Sequence, residues 1–396
     1  MEKVVIVGGG PAGLFSAWLL LEKGFIVHLY EQTTGVGKKF LVAGNGGLNL
    51  THGEPLDRFA TRYGKDQELF SELLAVFGPN DLRSFFTKLG VETFVGTSGR
   101  VFPKNIKASA ILKLWVEKLK SNKNFKLFLK STLVDLNGQN KVFIEIDGQT
   151  VSVQYDKLIL SLGGASWKRT GSDGKWKQFL ERLGVEVAPF KPMNCGFEVQ
   201  WSEFFKAGVD RAPLKNVGIS FKDHFIRGEL MLTPFGIEGG GIYAISNFLR
   251  DEIESRSTAT INLDLKPDLS LSEVRKRLSK RDKKTSQSNH LRKVLGLSKY
   301  ENILLKELIS KDDYQNMVKL GESIKKLEIK LLRPRPIEEA ISTSGGVAFS
   351  EVDSCFKLKK IDNVYVIGEM LDFETPTGGY LLQACFSTAY RAVNSF

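Results

Sequence analysis

Hydrophobic runs and glycine turns divide the first part of the chain into the elements of a parallel α/β unit. Val4–Val7 is an uninterrupted apolar run of the kind that is buried on both faces of a parallel sheet. A glycine turn follows, Leu14–Leu21 has the composition of a helix, and Phe25–Tyr30 returns as a second strand that ends at Glu31. The pattern therefore predicts a strand–helix–strand unit at the start of the chain.

The next section of the chain mixes helices with strands. Residues 65–123 look mainly helical, because apolar side chains recur there at spacings of three and four. Phe125–Leu129 and Val142–Val153 have the composition of strands, on either side of a turn at Asn137-Gly138. Leu158–Leu162 is a further apolar run, and it predicts another buried parallel strand that ends at two glycines.

The pattern changes after Pro189. Residues 194–265 alternate apolar and polar positions between glycine-bearing turns, as antiparallel strands do. Short amphipathic helices follow from Asp268 to about Leu320, and Val364–Ile367 predicts one more buried strand before a final helix that begins near Gly379. We therefore predict a nucleotide-binding domain that is interrupted by an insert and completed by the last strand and helix of the chain.

The composition is that of an ordinary globular protein. Of 396 residues, 42% are hydrophobic and 26% are charged, which excludes disordered, collagen-like and coiled-coil chains. The length predicts two or three domains. Cys195, Cys355 and Cys385 lie far apart, and the four histidines form no cluster with metal-ligand spacing. We therefore expect neither a disulfide framework nor a metal site.

The start of the chain resembles a signal peptide, because Lys3 precedes a long apolar stretch. Gly8-Gly9-Gly10-Pro11 interrupts this stretch, and no other stretch reaches the roughly 18 uninterrupted apolar residues of a spanning helix. The sequence therefore predicts a cytoplasmic protein with no membrane partner.

The net charge of +11 is concentrated in one part of the chain. Between Lys266 and Arg335 there are 19 Lys and Arg residues against 9 Asp and Glu residues, a local excess of +10. The densest clusters are Arg275-Lys276-Arg277 and Lys280-Arg281-x-Lys283-Lys284. Such clusters are usually solvated helix faces, but they also suit an anionic partner such as RNA, an acidic lipid or a phosphorylated cofactor.

The glycine turn after the first strand predicts a dinucleotide site. Gly8, Gly10 and Gly13 have the GxGxxG spacing between a strand and a helix, and Glu31 follows 18 residues after the last glycine. The first glycine permits a tight turn, the second admits a pyrophosphate to the positive end of the helix, and the third lets the helix pack on the strand. Glu31 would bind ribose hydroxyls and disfavour a 2′-phosphate, so the expected ligand is FAD or NAD rather than NADP.

Three further segments favour FAD. Gly37-Lys38-Lys39-Phe40 places cations just past the ribose-binding strand, unless it is a solvated turn. The glycine-rich, partly apolar segment Gly44–Thr51 suits a loop that lies along a flat ligand. Near the end of the chain, Gly368-Glu369 ends a strand, and Gly378-Gly379-Tyr380 opens a helix whose N-terminus would stabilise a reduced, anionic flavin.

Five motifs together resemble the YhiN/BaiN-type family of FAD-dependent oxidoreductases. GGGPAG, GKKFLVAGNGGLNLTH, GRVFP, LGGASWKRTGSDG and GEMLDFETPTGGYLLQ occur in this order over the first ~190 and last ~60 residues. The resemblance implies an α/β fold, a Rossmann-like FAD-binding domain of the glutathione-reductase type with an inserted antiparallel β-barrel domain that carries a small helical subdomain. The predicted limits are residues 1–190 and 341–396 for the FAD-binding domain, 191–267 and 322–340 for the barrel, and 268–321 for the basic helical subdomain.

The resemblance also implies a set of cofactor contacts. Asn49 and Thr51 are expected close to the flavin, and Leu133 is expected to meet the adenine through its backbone. The other residues expected to bind FAD are Gly8, Gly10, Pro11, Ala12, Gly13, Glu31, Lys39, Gly163, Gly164, Gly368, Glu369, Gly379, Tyr380 and Leu381.

Three departures separate this chain from the family pattern. Gly47-Leu48 stands where the family usually has Arg-Cys, and Thr233-Pro234-Phe235-Gly236 stands where it has Thr-His-Phe-Gly. Glu238-Gly239-Gly240 replaces a usual Ser-Gly-Pro. A thiol, a guanidinium and an imidazole are therefore missing, so the substrates of relatives should not be assigned to this chain.

The catalytic residues are left unassigned, and three side chains are candidates. Glu238 would be a general base over the flavin or merely a turn carboxylate. His52 would contact the substrate or lie at the surface, and Tyr380 would stack near the flavin ring or belong to the core.

The sequence thus predicts an enzyme that passes a hydride between a small organic substrate and N5 of FAD. Only one glycine fingerprint is present, so NAD(P)H is expected at most as a transient donor. The alternative is an FAD-dependent, tRNA-associated protein that binds nucleic acid through residues 266–335. A flavin-binding protein whose catalysis has decayed is a third hypothesis.

Overall fold

The computed structural model describes residues 2–44, 47–137, 139–280 and 285–396. Some predicted features lie outside the described residues: Asn45-Gly46 of the glycine-rich loop, Gly138 of the predicted turn, and the basic cluster from Arg281 to Lys284. The chain divides into two units, Met1–Pro192 with Ile337–Phe396, and Met193–Pro336. The second unit is thus inserted into the sequence of the first.

The helices and strands are numbered here in chain order. The strands are β1 Lys3–Val7, β2 Ile26–Glu31, β3 Thr51–His52, β4 Thr93–Val95, β5 Arg100–Pro103, β6 Phe125–Leu129, β7 Ser131–Leu136, β8 Lys141–Ile146, β9 Gln149–Gln154, β10 Lys157–Leu160, β11 Lys191–Met193, β12 Phe197–Glu198, β13 Ala212–Phe221, β14 His224–Thr233, β15 Gly236–Glu238, β16 Ala259–Asp264, β17 Leu327–Leu331, β18 Ser342–Ser344 and β19 Val364–Val366. The α-helices are α1 Pro11–Glu22, α2 Lys38–Ala43, α3 Leu56–Thr61, α4 Gln67–Val76, α5 Pro79–Lys88, α6 Ala108–Lys120, α7 Lys177–Arg182, α8 Glu203–Gly208, α9 Gly240–Tyr243, α10 Ser246–Arg256, α11 Leu271–Leu278, α12 Gln287–Leu295, α13 Lys299–Leu308, α14 Lys311–Gln315, α15 Met317–Lys325 and α16 Tyr380–Val393.

A parallel five-stranded sheet with the order β19-β10-β1-β2-β6 forms the centre of the first unit. β1 pairs with β10 on one side and with β2 on the other. Val4–Val7 are at most 1% exposed, which confirms the buried strand predicted from the apolar run. β19 reaches this sheet from the far end of the chain and pairs with β10, as the pattern around Val364 predicts. The strand order and the intervening helices make this a Rossmann-like α/β fold.

An aromatic cluster packs α1 against α16. The ring centroid of Phe15 on α1 lies 4.8 Å from those of Phe85 and Phe386 and 5.1 Å from that of Phe77. Trp115 on α6 stacks on Phe386 with 5.8 Å between the centroids. Aromatic pairs at such distances add about 0.5–1.5 kcal/mol beyond their burial. The cluster therefore holds the first and the last helix of this unit side by side.

Two short turns make the strands of the first unit differ from the predicted pattern. Residues 65–123, predicted to be mainly helical, include the hairpin β4–β5 between α5 and α6, and β5 also pairs with β3. The predicted strand Val142–Val153 is two strands, β8 and β9, joined at Asp147-Gly148 with φ of 50° and 78°. The strands β4 and β5 have only three and four residues, too few to show a period. Apolar spacing alone also does not detect the two-residue turn between β8 and β9.

The second unit is built on an antiparallel sheet of six strands with the order β12-β15-β14-β13-β16-β17. Leu327, Ile329 and Leu331 of β17 are buried while the residues between them are exposed, so this strand has one face in the core. After β17 the chain returns to β12, where the Glu198 N–H donates to the Arg333 carbonyl at 2.8 Å.

Short helices occupy the section of the second unit between β16 and β17 in sequence. Ser270 caps α11 and Ser298 caps α13, each accepting a hydrogen bond from the N–H three residues later. In α13 the carboxylate of Glu301 also accepts from the Ser298 N–H, which completes a capping box. Within the part of the chain that the structure describes, no helix is both long and apolar enough to cross a membrane.

Asp66 is a half-buried carboxylate near the loop that leads to α16. One of its oxygens, Oδ2, is buried and has no hydrogen-bond partner among the described residues. Burial, together with the carboxylates of Asp372 and Glu374, raises the pKa of Asp66 to about 6, although the charge of Lys65 opposes this. The folded protein therefore binds a proton at Asp66 more tightly than the unfolded chain, so this group lowers stability as the pH rises from about 4 through 6.

We expect Asp66→Asn to stabilise the protein at pH 7.5, where it removes a poorly solvated charge, and to have little effect at pH 4.5, where the folded carboxyl is protonated. The expected gain in melting temperature at pH 7.5 is about 1–3 °C, measured by thermal unfolding at both pH values. Glu145→Gln, an exposed change on β8, is the control. An Asp66→Asn effect of equal size at the two pH values would contradict the prediction.

Candidate functional site

The predicted glycine turn joins β1 to α1 with no room for side chains at two of its glycines. A Cβ on Gly13 would lie 2.1 Å from the carbonyl oxygen of Gly8 and 2.6 Å from Ser161 Oγ. Gly8 has a φ of 108°, and a Cβ there would lie 2.3 Å from the Ser161 carbonyl oxygen. The Ser161 hydroxyl also donates to the Gly8 carbonyl at 2.9 Å, which links the turn to the end of β10.

Gly10 differs from these two glycines, because a Cβ there would meet nothing within 4 Å. It is the N-terminal cap residue of α1, no side chain caps the helix, and Pro11 occupies the first helical position. The free N–H groups of the first turn therefore face open space, which is the arrangement that binds a phosphate. No protein atom therefore limits the size of the side chain at position 10.

Glu31 lies at the end of β2, beside the same opening. Its Oε2 accepts from the Gly9 N–H at 2.8 Å, and its Oε1 accepts from the Thr33 N–H at 2.8 Å. The side chain is 9% exposed. Two backbone donors therefore fix the carboxylate, while each oxygen keeps a lone pair for a hydroxyl of a ligand.

These residues line a cavity that opens to solvent. Residues from other parts of the first unit also contribute to its wall, several of them from the predicted motifs. The predicted cofactor residues that line it are Gly8, Gly10, Pro11, Ala12, Glu31, Lys39, Leu133, Gly163 and Glu369. Lining residues that were not predicted include Gln32, Ser131, Thr132, Ser161, Thr170, Ser172, Trp176 and Cys385.

Lys39 and Glu369 form a half-buried ion pair in the wall of this cavity. Lys39 Nζ lies 2.7 and 3.0 Å from the two oxygens of Glu369 and 2.8 Å from Ser166 Oγ. Glu369 also accepts from the Thr343 N–H at 3.1 Å. The predicted contact of Lys39 with FAD stays a prediction, and the ammonium group already has a carboxylate partner.

A second group of predicted residues lies around the start of α16. Gly379 has a φ of 94°, and a Cβ there would lie 2.6 Å from Thr51 Cα, so the backbones of β3 and α16 are in contact. Thr51 Oγ1 donates to Gln383 Oε1 at 2.7 Å. No side chain caps α16, and the buried Asn49 Oδ1 has no hydrogen-bond partner among the described residues. Free donors and a free acceptor therefore occur in one neighbourhood.

Three side chains form a hydrogen-bonded cluster at this point, and a fourth stacks on it. Tyr380 donates from its hydroxyl to Glu54 Oε1 at 2.6 Å, and Arg62 binds both oxygens of Glu54 at 3.0 and 2.7 Å. His52 stacks on the Tyr380 ring with 5.4 Å between the centroids. Although burial acts in the opposite direction, the hydrogen bonds from Arg62 and Tyr380 lower the pKa of Glu54. Burial and the bond to Glu54 raise the pKa of Tyr380. The cluster thus joins a carboxylate to a neutral phenol.

Both ring nitrogens of His52 have backbone partners. Nδ1 accepts from the Glu54 N–H at 3.1 Å, and Nε2 lies 3.1 Å from the Ser98 carbonyl oxygen. Because a carbonyl only accepts, these partners select the neutral tautomer with hydrogen on Nε2. The role of His52 toward a substrate stays a prediction, and in this structure its ring orders the loop around β3.

Glu238, the third catalytic candidate, belongs to the second unit. It ends β15, and its carboxylate pairs with Arg211. Burial raises the pKa of the nearby Tyr243 to about 12, and the charge of Glu238 adds to this effect. The candidates His52 and Tyr380 therefore come together in one unit, whereas Glu238 has its own partner in the other.

Sequence reasoning missed two kinds of residue at this site. Thr170 and Ser172 lie within the motif LGGASWKRTGSDG, and Trp176 follows it, donating from Nε1 to the Gly163 carbonyl at 2.8 Å. The motif was therefore a usable signal for the cavity wall. Glu54 and Arg62 belong to no predicted motif, because the fold of β3 and α3 brings them to Tyr380.

Comparison with known proteins gives matches over the whole chain. A family described as HI0933-like protein Rossmann domain matches residues 2–395. The chain is 27% identical over 410 residues to the 3-dehydro-bile acid delta(4,6)-reductase of Clostridium scindens, which covers 99% of this chain and 98% of that protein. It is 24% identical over 403 residues to the ribosomal RNA dihydrouridine synthase of Haemophilus influenzae, with 99% and 97% covered.

Among solved structures, the fold is similar to that of the 3-ketosteroid delta1-dehydrogenase from Sterolibacterium denitrificans. The TM-score is 0.55 at 12% identity, with 100% of this chain and 99% of that chain covered. At this identity the likeness concerns the fold.

We expect Gly10→Val and Gly13→Ala to separate cofactor binding from folding. Gly10→Val should leave the free energy of unfolding of the apoprotein within about 1 kcal/mol of wild type but lower bound flavin to below about a tenth, because the side chain fills the predicted phosphate position. Gly13→Ala should destabilise the apoprotein by about 1–3 kcal/mol through its contact with the Gly8 carbonyl. Denaturant unfolding and the ratio of visible to ultraviolet absorbance measure the two effects. A Gly10→Val protein that purifies with full flavin content would contradict the phosphate assignment.

Proposed function

The chain belongs to the HI0933-like family of Rossmann-domain proteins, and we propose that it is an FAD-dependent oxidoreductase that transfers a hydride between a small organic substrate and N5 of the bound flavin. The open N-terminus of α1 beside Gly10, in a cavity that also contains the Glu31 carboxylate, is the observation that carries this proposal. The full-length similarity to a protein named as a reductase supports the class of reaction.

The adenosine and pyrophosphate of FAD fit the cavity by donor and acceptor type. Glu31 would accept hydrogen bonds from the ribose hydroxyls, since the Gly9 and Thr33 N–H groups already hold its oxygens in place. The pyrophosphate would lie beside Gly10, where the first turn of α1 offers N–H donors and positive potential. Leu133 lines the same cavity and would meet the adenine.

The flavin end of the cofactor fits the surroundings of α16. The uncapped start of this helix supplies N–H donors for the carbonyl oxygens of the ring, and a helix N-terminus stabilises negative charge by about 0.3–1 kcal/mol. Asn49 Oδ1, which is buried without a partner among the described residues, would accept from a ring N–H. Thr51 and Gly379 would hold the two backbones that frame the ring.

The two buried cysteines have no redox role in this proposal, and the flavin would carry the redox chemistry. Burial raises the pKa of Cys195 to about 12 and that of Cys385 also to about 12, so both thiols are protonated near pH 7. A thiol is a poor nucleophile and electron donor compared with a thiolate. Cys385, which lines the cavity, would therefore contribute shape and apolar surface.

The electron donor and the substrate are proposed in general chemical classes. NAD(P)H would be a transient donor, because the chain has one glycine fingerprint and FAD would already occupy the site beside Glu31. The substrate would be a small organic molecule, and the replaced thiol and imidazole positions argue against adopting the substrate of the clostridial reductase. We further propose that residues 191–267 and 322–340 act as the β-barrel domain of this family, with residues 268–321 as its helical subdomain.

The visible spectrum of the purified protein, followed by anaerobic addition of NADH and then NADPH, tests this proposal. We expect a bound-flavin spectrum that bleaches with one of the two donors, because the donor delivers a hydride to the ring. A flavin that bleaches with neither would identify a dehydrogenase or oxidase reduced by its own substrate, for which amines and hydroxy compounds are the first screen. Absence of flavin after reconstitution with FAD would overturn the proposal.

Binding of RNA is a second candidate function. The relative from Haemophilus influenzae is named as a ribosomal RNA dihydrouridine synthase, and the second unit carries exposed cations. Lys276, Lys280, Arg292 and Lys293 are exposed and form no ion pair with the described residues, whereas Arg275 pairs with Glu322. Unpaired cations on neighbouring helices can bind the phosphate groups of a nucleic-acid backbone.

Removal of these four charges tests the second candidate. Lys276→Gln, Lys280→Gln, Arg292→Gln and Lys293→Gln together should weaken RNA binding and lower the slope of log affinity against log salt by about 3, with flavin content unchanged. Lys118→Gln with Lys120→Gln and Lys141→Gln, exposed changes in the first unit, serve as the control. If the variant and the control bind RNA equally, this surface is not an RNA site.

A further inference from the structure

The start of α16 is held by a hydrogen-bonded chain of three side chains, Arg62, Glu54 and Tyr380, which we call the α16 clamp. Arg62 donates from Nε to Glu54 Oε1 at 3.0 Å and from Nη2 to Glu54 Oε2 at 2.7 Å. Tyr380, the first residue of α16, donates its hydroxyl hydrogen to Glu54 Oε1 at 2.6 Å. A bidentate guanidinium–carboxylate pair imposes geometry as well as stability, so the clamp defines where the phenol lies.

The clamp is buried at the helix and reaches solvent at its guanidinium. Side-chain exposure is 44% for Arg62 and 10% for Glu54, and Tyr380 is 5% exposed. Phe59 meets the Tyr380 ring edge-on with 4.8 Å between the centroids, and His52 stacks on the same ring. Because these rings hold the aromatic part of Tyr380, its hydroxyl can be removed without opening the core.

The backbone of Tyr380 is held as firmly as its side chain. Tyr63 donates from its hydroxyl to the Tyr380 carbonyl oxygen at 2.8 Å. Gly379 lies against Thr51, and Thr51 Oγ1 binds Gln383 in the next turn of the helix. A helix start is normally stabilised by one capping side chain, yet α16 has none. The restraints fix the position of the helix start and leave its N–H donors free.

We propose that Glu54 and Arg62 are positioning residues, which act through Tyr380 to hold the N-terminus of α16 in place and thereby set the redox potential of the bound flavin. The proposal rests on the proposed function. The field of a helix N-terminus falls off within its first turn, and donors that are already in place need no reorganisation when negative charge develops on the ligand. Since the Arg62–Glu54 pair is neutral as a whole, its influence comes through the position of α16.

Two sets of changes that keep the net charge of the clamp test the proposal by redox titration of the holoenzyme against a reference dye. These are Tyr380→Phe, and Glu54→Gln combined with Arg62→Gln. In each, the ratio of reduced to oxidised flavin at the wild-type midpoint should fall about threefold, which corresponds to about 14 mV for a two-electron couple. Arg62→Lys, which keeps an ion pair, should stay closer to wild type. Circular dichroism and thermal unfolding establish that each variant is folded.

Two matched controls measure how the flavin potential responds when an ion pair or a hydroxyl is removed elsewhere in the first unit. Lys113→Gln with Glu117→Gln removes an exposed ion pair on α6, and Tyr155→Phe removes a buried hydroxyl that has no hydrogen-bond partner among the described residues. Both should keep the wild-type potential, because neither control changes a residue of the α16 clamp.

Three results would be decisive against the proposal. Folded clamp variants with the potential of the controls would overturn it. So would a higher potential in Glu54→Gln alone that returns to the wild-type value in the double variant, since the clamp would then act through its charge. A wild-type protein that binds no FAD would overturn the proposed function and this proposal together, before any variant is compared.

Discussion

The contact between the start of α1 and the end of β1 is the constraint on which the first unit depends. Gly13 lies against the Gly8 carbonyl, and Ser161 at the end of β10 closes the same turn from the neighbouring strand. Because there is no side chain between helix and strand, the free N–H groups of α1 stand at the carboxyl edge of the sheet, next to Glu31 of β2. The cavity forms where β1, β2, β10 and α1 meet, because no side chain separates α1 from the end of β1.

Around this contact, charged side chains occur in matched pairs. Lys39 faces Glu369 in the cavity wall, and Arg62 faces Glu54 beside α16. Each carboxylate also accepts from a further donor, Thr343 N–H for Glu369 and the Tyr380 hydroxyl for Glu54. Pairing limits the desolvation cost of burying these charges. As a result, the electrostatic character of the site depends strongly on backbone dipoles at the starts of α1 and α16, which need no counter-ion.

Local sequence predicted the parts of this site that depend on neighbouring residues. The strand of Val4–Val7, the glycine turn and Glu31 follow one another within one supersecondary unit, so spacing sufficed to place them. Lys39 was predicted near the cofactor, but its pairing with Glu369 joins segments that are far apart in sequence. Glu54 and Arg62 were missed for the same reason: a short strand and a short helix carry them, and only the docking of α16 gives them a common partner. The hairpin β4–β5 was missed because its strands are three and four residues long, too short for a period to be visible.

The insertion of the second unit between β11 and β18 has a consequence for the order in which the protein is assembled during synthesis. β19 and α16 complete the sheet and the aromatic cluster of the first unit, yet the ribosome makes them only after all of Met193–Pro336. At about 5–20 residues per second, the first 192 residues wait for many seconds with β10 unpaired on one side and Phe15 without Phe386. During that interval the nascent chain exposes a sheet edge and an apolar helix face. Until α16 emerges, these surfaces can associate with other chains, so this is the stage of synthesis at which binding of a chaperone would protect the protein.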